Sequence, residues 1–243
     1  MDLKATFRRA GDCRLNRPCR YELVIFDCDG VLVDSELLSC NALIDCLRRH
    51  AVEVDLKTAM ERFLGRSTGA IRDYCAAAGK PLPEAFFAEL RLAVRAAFTT
   101  ALEPVPGSAD VLRSLKVPFC VASSSDPDRI DHSLRLAGLS SLVAGRIFSA
   151  AMVANGKPAP DLFLHAAACM GAAPASSLVV EDSESGVEAA RAAGMTVWGF
   201  VGGSHYKGRD GRRLLAAAGA ERVFDRMVDF YEGEGRRIDG AHR

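Results

Sequence analysis

The amino-acid sequence predicts an α/β protein, with a Rossmann-like parallel sheet at its core and an inserted α-helical cap domain. Three observations lead to this prediction. Short apolar runs alternate with segments of helical periodicity along most of the chain, a pattern typical of parallel sheets covered by helices on both faces. One stretch of about 65 residues shows helical periodicity alone. Polar side chains directly follow several of the apolar runs, at the end of the sheet where such folds bind ligands.

The predicted strands are short runs rich in valine, isoleucine and phenylalanine. In chain order they are LVIF (23–26), FCVAS (119–123), RIFSA (146–150), SLVVED (177–182), TVWGFV (196–201) and ERVFD (221–225). Helical segments separate the later strands, and they span residues 126–138, 160–171, 185–194 and 212–219. Because helical crossovers join parallel strands, we expect one parallel sheet with right-handed connections.

Residues 35–103 form the predicted cap domain. Its apolar residues recur at helical intervals, as in FFAELRLAVRAAF, where Phe86, Leu90 and Val94 share one face. No run typical of a β-strand interrupts this segment. The rest of the chain is then expected to form a discontinuous α/β core at residues 21–34 and 104–232, with flexible tails at residues 1–20 and 233–243.

Charge and composition argue against several classes of protein. The 243 residues include 31 Lys and Arg against 31 Asp and Glu, so no net positive charge attracts nucleic acid or an anionic membrane. No apolar run approaches the ~20 residues of a membrane-spanning helix. We therefore expect a small-molecule partner, no nucleic-acid or membrane partner, and a monomer or weak homodimer.

The eight cysteines form no CxxC pair and no Cys/His spacing of a zinc site. This pattern favours free thiols and a cytoplasmic location. A disulfide between Cys13 and Cys19, in the basic N-terminal segment, remains an open alternative.

Charged and polar residues follow three of the predicted strands and occupy one loop between them. They are Asp27 and Asp29 after the first strand, Ser123–Ser125 at the end of the second, Lys157 in the NGKPAPD loop, and Glu181 and Asp182 at the end of SLVVED. Several carboxylates at one edge repel each other, and they stay ionised together only if a cation lies among them. Oxygen ligands without histidine or cysteine favour Mg²⁺ over zinc.

Each of these residues also has a purely structural interpretation. An aspartate at a strand end can form a turn or cap a helix. One of Ser123–Ser125 can cap the helix that follows, and Lys157 can be a solvated charge. Four such features in order, each beside a strand end, favour a functional site over four separate coincidences.

Four short motifs carry a resemblance to a known family. DCDGVLVDSE, VASSSD, GKPAPD and VVEDSESG resemble, in this order, the four motifs of the haloacid dehalogenase-like (HAD) hydrolase superfamily. The chain is most similar to the phosphatase and β-phosphoglucomutase branch, whose helical cap is inserted after the first strand. The resemblance covers about residues 21–230, and the ordered combination is far more specific than DxD alone.

The resemblance implies a role for each motif residue. Asp27 would be the nucleophile that forms an aspartyl-phosphate, and Asp29 would be the general acid–base. Ser123 would donate a hydrogen bond to the phosphoryl group, and Lys157 would neutralise negative charge on it. The implied Mg²⁺ ligands are the carboxylate of Asp27, the backbone carbonyl of Asp29 and the carboxylate of Asp182, with Glu181 in or near the same shell.

The resemblance also implies that the cap loop FLGRST and Ser124 contact the substrate. Gly65, Arg66 and Ser67 of that loop would face the site and contact the leaving group, with a solvent-facing charge as the alternative for Arg66. The segment VGGSHYKG (201–208) is a further candidate for lining the pocket.

The expected function is hydrolysis of a small phosphorylated metabolite, such as a sugar or sugar-acid phosphate. Family dehalogenases lack the second aspartate of the first motif, so Asp29 argues against that activity. Val33, Ser35 and Ser39 stand where β-phosphoglucomutases usually have Thr, Thr and His, and Thr68 stands where they have Arg, which favours hydrolysis. A phosphomutase and a non-catalytic binding module on the same fold are the alternatives.

Overall fold

A six-stranded sheet forms the centre of the computed structural model, which describes residues 21–65 and 68–233. The strands are β1 (Leu23–Phe26), β2 (Phe119–Ser123), β3 (Ile147–Ser149), β4 (Ser177–Glu181), β5 (Thr196–Phe200) and β6 (Arg222–Phe224). Their order is β3-β2-β1-β4-β5-β6, and every neighbouring pair is parallel. The predicted parallel α/β fold is therefore confirmed.

Ten α-helices accompany the sheet within the described residues. They are α1 (Glu36–Arg49), α2 (Leu56–Arg62), α3 (Thr68–Ala77), α4 (Phe86–Ala101), α5 (Ser108–Ser114), α6 (Pro127–Leu136), α7 (Ser140–Val143), α8 (Asp161–Cys169), α9 (Glu184–Ala192) and α10 (Gly211–Ala218). Helices α1 to α4 follow β1 without an intervening strand. Helices α5 and α7 have seven and four residues, too few for a helical repeat to be recognised in the sequence.

Alternate residues of each central strand face opposite sides of the sheet. In β1, Val24 and Phe26 join one apolar cluster, Leu23 and Ile25 join another, and all four are fully buried. Because helices cover both faces, these strands are continuous apolar runs. Charged side chains of the central strands can then lie only at the strand ends or beyond them.

The helical segment α1–α4 has a small core of its own. Leu43, Leu47 and Phe86 belong to an apolar cluster made only of residues from this segment. On α4, Val94 and Phe98 instead join the larger cluster on one face of the sheet. Apolar contacts of its last helix therefore help to attach the segment to the sheet.

The two connections between the helical segment and the sheet lie side by side. Val33 and Pro104 form an antiparallel bridge, and the Asp34 N–H donates a hydrogen bond to the Glu103 carbonyl at 3.0 Å. A movement of the helical segment would therefore pivot on this pair of connections.

The six cysteines in the described part of the chain are unpaired, and five of them are buried. Cys13 and Cys19 lie outside the described residues. Among residues 21–65 and 68–233, no helix combines the length and the apolarity needed to cross a lipid bilayer.

Leu47→Ala should lower the free energy of unfolding by about 2–4 kcal/mol, because it removes fully buried methyl groups from the core of the helical segment. Leu92→Ala, on α4 at a position that is 69% exposed, should change it by less than about 0.5 kcal/mol. Urea unfolding followed by circular dichroism measures both variants. Equal losses in the two would contradict this packing.

Candidate active site

The polar strand ends meet because of the strand order. β2, β1 and β4 are adjacent, so their carboxyl ends bring Ser123, Asp27 and Glu181 to one edge of the sheet. The hydrogen bonding between β1 and β4 continues one residue past the end of β1, where the Asp27 N–H donates a hydrogen bond to the Val180 carbonyl at 2.9 Å. Ser123, Asp27 and Glu181 are all buried.

Lys157 joins two of these acids. Its Nζ lies 2.8 Å from Asp27 Oδ1 and 2.6 Å from Glu181 Oε1, and its side chain is only 3% exposed. Burial by itself would lower the pKa of this ammonium group, but the two carboxylates outweigh burial and raise the pKa. Lys157 is therefore a buried, charged residue, and its interpretation as a solvated charge is wrong.

Three buried carboxylates lie close enough to share one cation. Asp27, Glu181 and Asp182 each offer an oxygen within 4.8 Å of the others. Burial raises the pKa of Asp27 to about 7; Lys157 opposes this rise, and Glu181 and Asp29 add to it. Burial and the neighbouring acids also raise the pKa of Asp182 well above its usual value. A divalent cation among these oxygens would stabilise the ionised forms, so the donor set fits a metal site.

Asp29 lies in a separate hydrogen-bond network. Its Oδ1 accepts from Ser35 Oγ at 2.6 Å and from Arg129 Nη2 at 3.0 Å, and its Oδ2 accepts from Ser125 Oγ at 2.7 Å. Burial would raise the pKa of Asp29, but the Arg129 guanidinium and these hydrogen bonds outweigh burial and lower the pKa. Asp29 is therefore ionised at neutral pH.

Arg129, on α6, ties this network to the helical segment. Its Nη2 also donates to Ser39 Oγ at 3.2 Å, and its guanidinium carbon lies 5.0 Å from the centre of the Phe98 ring. Ser39 lies on α1 and Phe98 lies on α4. The side chain that pairs with Asp29 therefore contacts both the first and the last helix of the segment.

Two glycines let the backbone approach the acids closely. Gly30 has a φ of +72°, and a Cβ at this position would lie 1.7 Å from Asp182 Oδ2. A Cβ at Gly186, on α9, would lie 1.8 Å from Glu181 Oε1. A larger residue at either position would displace a carboxylate of the site.

The serines at the end of β2 have different surroundings. Ser123 Oγ is buried and accepts a hydrogen bond from the Ser125 N–H at 3.1 Å. Ser124 is exposed, and its hydroxyl has no hydrogen-bond partner within the described part of the chain. The prediction that one of these serines caps α6 is wrong, because Asp126 caps it. Pro127 begins the helix and therefore makes its immediate neighbour the N-cap.

The helical segment approaches the acids at Gly65. A cavity of about 90 Å³ lies there between the segment and the sheet, and Gly65 and Asp182 both line it. Glu36, Tyr206 and Arg209 also face this cavity. Arg66 and Ser67, the two other residues predicted in the cap loop, lie outside the described residues.

Three further residues at the site, Glu36, Arg129 and His205, are not indicated individually by the sequence. Burial, followed by the nearby Asp29, raises the pKa of Glu36 to about 8. His205 is 1% exposed, and burial followed by the charge of Arg209 lowers its pKa to about 4. His205 is therefore neutral at pH 7. The one sequence signal for it is its place in the segment VGGSHYKG, directly after β5.

Comparison with known proteins identifies the family. A family model described as haloacid dehalogenase-like hydrolase matches residues 21–194, which include all four motifs and the helical segment. The chain belongs to the haloacid dehalogenase-like hydrolases. The predicted family is therefore confirmed.

Several named relatives of this HAD hydrolase are phosphatases. It is 30% identical over 190 residues to the 6-phosphogluconate phosphatase of Escherichia coli (strain K12), over 77% of this chain and 86% of the relative. It is 33% identical over 180 residues to the fructose-1-phosphate phosphatase of the same organism, over 72% and 94%. A HAD-like protein of unknown function from Agrobacterium tumefaciens str. C58 has a TM-score of 0.78 at 34% identity, over 88% of this chain and 97% of that chain. The chain is an enzyme of the HAD phosphatase type.

Arg129→Met should lower the free energy of unfolding at pH 7 by about 2–4 kcal/mol, because it leaves the Asp29 carboxylate buried without its guanidinium. The loss stays below the full cost of breaking a buried pair, because the Arg129 side chain is 28% exposed. The lowered pKa of Asp29 stabilises the wild type above the ordinary value of 3.8, and this contribution is lost as the pH falls through the lowered pKa. Denaturant unfolding from pH 7 to pH 3 should therefore show the difference between the two proteins shrinking as the pH falls.

Arg135→Met is the matched control on the same helix. It removes an exposed pair with Asp131, whose partners are 59% and 56% exposed, so the loss should stay within about 0.5 kcal/mol at every pH. If Arg129→Met behaves like this control, the pairing of Arg129 with Asp29 does not stabilise the fold.

Proposed function

We propose that this HAD hydrolase is a Mg²⁺-dependent phosphomonoesterase that acts on a sugar phosphate or sugar-acid phosphate through an aspartyl-phosphate. The observation that carries the proposal is the buried cluster at the ends of β1 and β4. There the charged Lys157 bridges Asp27 and Glu181, and Asp182 lies against them. Phosphoryl transfer needs an array of positive charge held around a nucleophile, and this cluster supports both requirements.

In this proposal Asp27 attacks phosphorus. Lys157 contacts its Oδ1 at 2.8 Å and favours the ionised carboxylate, which is the nucleophilic form. Attack forms a bond between a carboxylate oxygen and phosphorus and breaks the bond to the leaving oxygen. Water then attacks phosphorus, which releases inorganic phosphate and restores Asp27. Ser123, at the end of the neighbouring strand, donates a hydrogen bond to a phosphoryl oxygen.

Asp29 is proposed as the general acid–base. It delivers a proton to the leaving oxygen in the first step and accepts one from water in the second. The ionised form paired with Arg129 suits the second role. For the first role the carboxyl group must take up a proton and separate from the guanidinium, which also contacts Ser39 and Phe98 of the helical segment. We therefore infer that the segment moves during turnover.

The oxygen donors of the cluster support Mg²⁺. The proposed ligands are the carboxylates of Asp27 and Asp182 and the backbone carbonyl of Asp29. Both carboxylate oxygens of Glu181 already have partners. Oε1 contacts Lys157, and Oε2 accepts hydrogen bonds from the Ser183 N–H at 2.8 Å and from Ser183 Oγ at 2.9 Å. We therefore propose that Glu181 lies beside the ligand shell. When bound, the cation would neutralise charge on the phosphoryl group and on Asp27.

The proposed substrate class rests on the named relatives and on the cavity beside Asp182. The relatives take their names from 6-phosphogluconate and fructose 1-phosphate. Glu36 and Arg209 line the cavity and supply an acceptor and a donor for the hydroxyl or carboxylate groups of such molecules. We propose that residues 35–103 act as a cap on the core of residues 21–34 and 104–232. The proposed contacts to the leaving group are Gly65, Arg66 and Ser67 from the cap loop and Ser124 from the core.

Asp27→Asn should lower kcat by more than about 1000-fold, because it removes the nucleophile. A phosphate-release assay measures this with Mg²⁺ and with EDTA, over a panel that includes 6-phosphogluconate and fructose 1-phosphate. The wild type should hydrolyse several of these esters with Mg²⁺ and none with EDTA. Asp126→Asn, which alters only the exposed cap of α6, should retain the wild-type kcat.

Equal activity with EDTA, or in Asp27→Asn, would overturn the proposed mechanism. A wild type that releases no phosphate from any ester would be assayed with β-glucose 1-phosphate and a bisphosphate primer. Isomerisation in that assay would establish the phosphomutase alternative in place of hydrolysis.

Asp29→Asn should separate the two chemical steps. p-Nitrophenyl phosphate has a good leaving group that needs no proton, so the first step should survive and the second should slow by about 100-fold or more. Rapid mixing should then show a burst of nitrophenol that is stoichiometric with enzyme, followed by slow turnover. Sugar phosphates should show no burst. Without a burst in either case, Asp29 is not the acid–base of two successive steps.

A further inference from the structure

The segment that follows β5 is attached to two acidic parts of the site. Its residues Ser204–Tyr206 form a 3-10 turn. The N–H and the hydroxyl of Ser204 both donate to Asp34 Oδ1, at 3.0 and 2.8 Å. The Tyr206 hydroxyl donates to the backbone carbonyl of Asp182. The turn is therefore anchored at its first residue and at its last.

His205, between these anchors, is directed at the Asp182 carboxylate. Its Nε2 lies 3.3 Å from Asp182 Oδ2, and the residue is 1% exposed. Within the described part of the chain, neither ring nitrogen has a hydrogen-bond partner of good geometry. Burying an imidazole without a partner is unfavourable. An apolar residue would avoid this cost, so packing alone does not explain a histidine here.

Two glycines leave the space that the ring occupies. A Cβ at Gly203 would lie 2.7 Å from Cε1 and Nδ1 of His205. A Cβ at Gly30 would lie 3.1 Å from the same Cε1 and 1.7 Å from Asp182 Oδ2. On a further side, the centre of the Tyr206 ring lies 4.3 Å from the centre of the imidazole. The ring therefore packs against the two glycines and Tyr206, beside Asp182.

Asp182 differs from the other acids of the cluster in its partners. Asp27 and Glu181 are both contacted by Lys157, and Asp29 accepts three hydrogen bonds. For the Asp182 carboxylate, His205 is the one polar side chain within ion-pair distance among the residues that the structure describes. The orientation of this carboxylate therefore depends on the turn after β5.

We propose that His205 and Tyr206 are positioning residues for Asp182 in the cation site. This inference rests on the proposed Mg²⁺ site. His205 Nε2, 3.3 Å from Oδ2, limits the orientations open to the carboxylate, while the Tyr206 hydroxyl fixes the backbone carbonyl of the same residue. A ligand that is already oriented loses less freedom when the cation binds.

The test is Mg²⁺ affinity, measured by isothermal titration calorimetry on the full chain without substrate. His205→Leu should weaken Mg²⁺ binding by about 10–100-fold. His205→Gln, whose amide nitrogen can reach the position of Nε2, should restore most of that loss. Tyr206→Phe removes a single oxygen and should weaken binding by a smaller factor. Melting temperatures in EDTA show whether each variant is folded.

Two control variants complete the series. Asp182→Asn removes a proposed ligand and should abolish the binding signal. His50→Leu replaces a histidine of the cap that pairs with Glu89, and should leave Mg²⁺ affinity unchanged.

The outcomes separate this inference from the proposed function. If the wild type does not bind Mg²⁺, or if Asp182→Asn binds it normally, the proposed cation site and this inference both fail. If Asp182→Asn loses binding while folded His205→Leu and Tyr206→Phe keep wild-type affinity, the positioning role alone is overturned. Should His205→Leu not fold, Tyr206→Phe and His205→Gln decide: unchanged affinity in both overturns the inference, and weaker binding in Tyr206→Phe supports it.

Discussion

The contact between Lys157 and the acids Asp27 and Glu181 is the interaction on which the rest of the site depends. Parallel strands that are apolar on both faces can place charges only at their ends, and adjacent strand ends bring those charges together. Without the ammonium group, β1 and β4 would bury two carboxylates side by side. Lys157, at 2.8 and 2.6 Å from them, makes that arrangement possible.

Each remaining acid of the cluster is stabilised in its own way. Asp29 has a permanent cation, Arg129, together with two serine hydroxyls. Asp182 faces the ring of His205, whose Nε2 lies 3.3 Å from its Oδ2. Among the described residues, no lysine or arginine lies within ion-pair distance of the Asp182 carboxylate, and the pKa of Asp182 is raised well above its usual value. A divalent cation beside this carboxylate would favour its ionised form.

Contacts of Arg129 and Asp34 link the helical segment to the candidate active site. Arg129 lies on the sheet side, but its guanidinium touches Ser39 on α1 and Phe98 on α4. Asp34, at the connection into α1, is held by Ser204. A rotation of the segment would therefore alter the surroundings of Asp29 directly, because its partners come from both sides of the connection. This arrangement suits the proposed role of Asp29 as an acid–base that changes its protonation state within one catalytic cycle.

The sequence by itself determined the parallel sheet, the inserted helices, the family, and the position of the acids Asp27, Asp29, Glu181 and Asp182 at strand ends. Periodicity and contiguous motifs are local properties, and they can be read without knowing which strands become neighbours.

The sequence did not determine whether Lys157 is solvated or buried, nor which residue caps α6. Only the tertiary structure decided these points and brought in Arg129, 100 residues from Asp29, and His205, whose partner lies on another strand end. The physical reason is that a lone arginine or histidine has the same local sequence pattern on a surface as in a site. Which residues become its neighbours depends on the order of the strands.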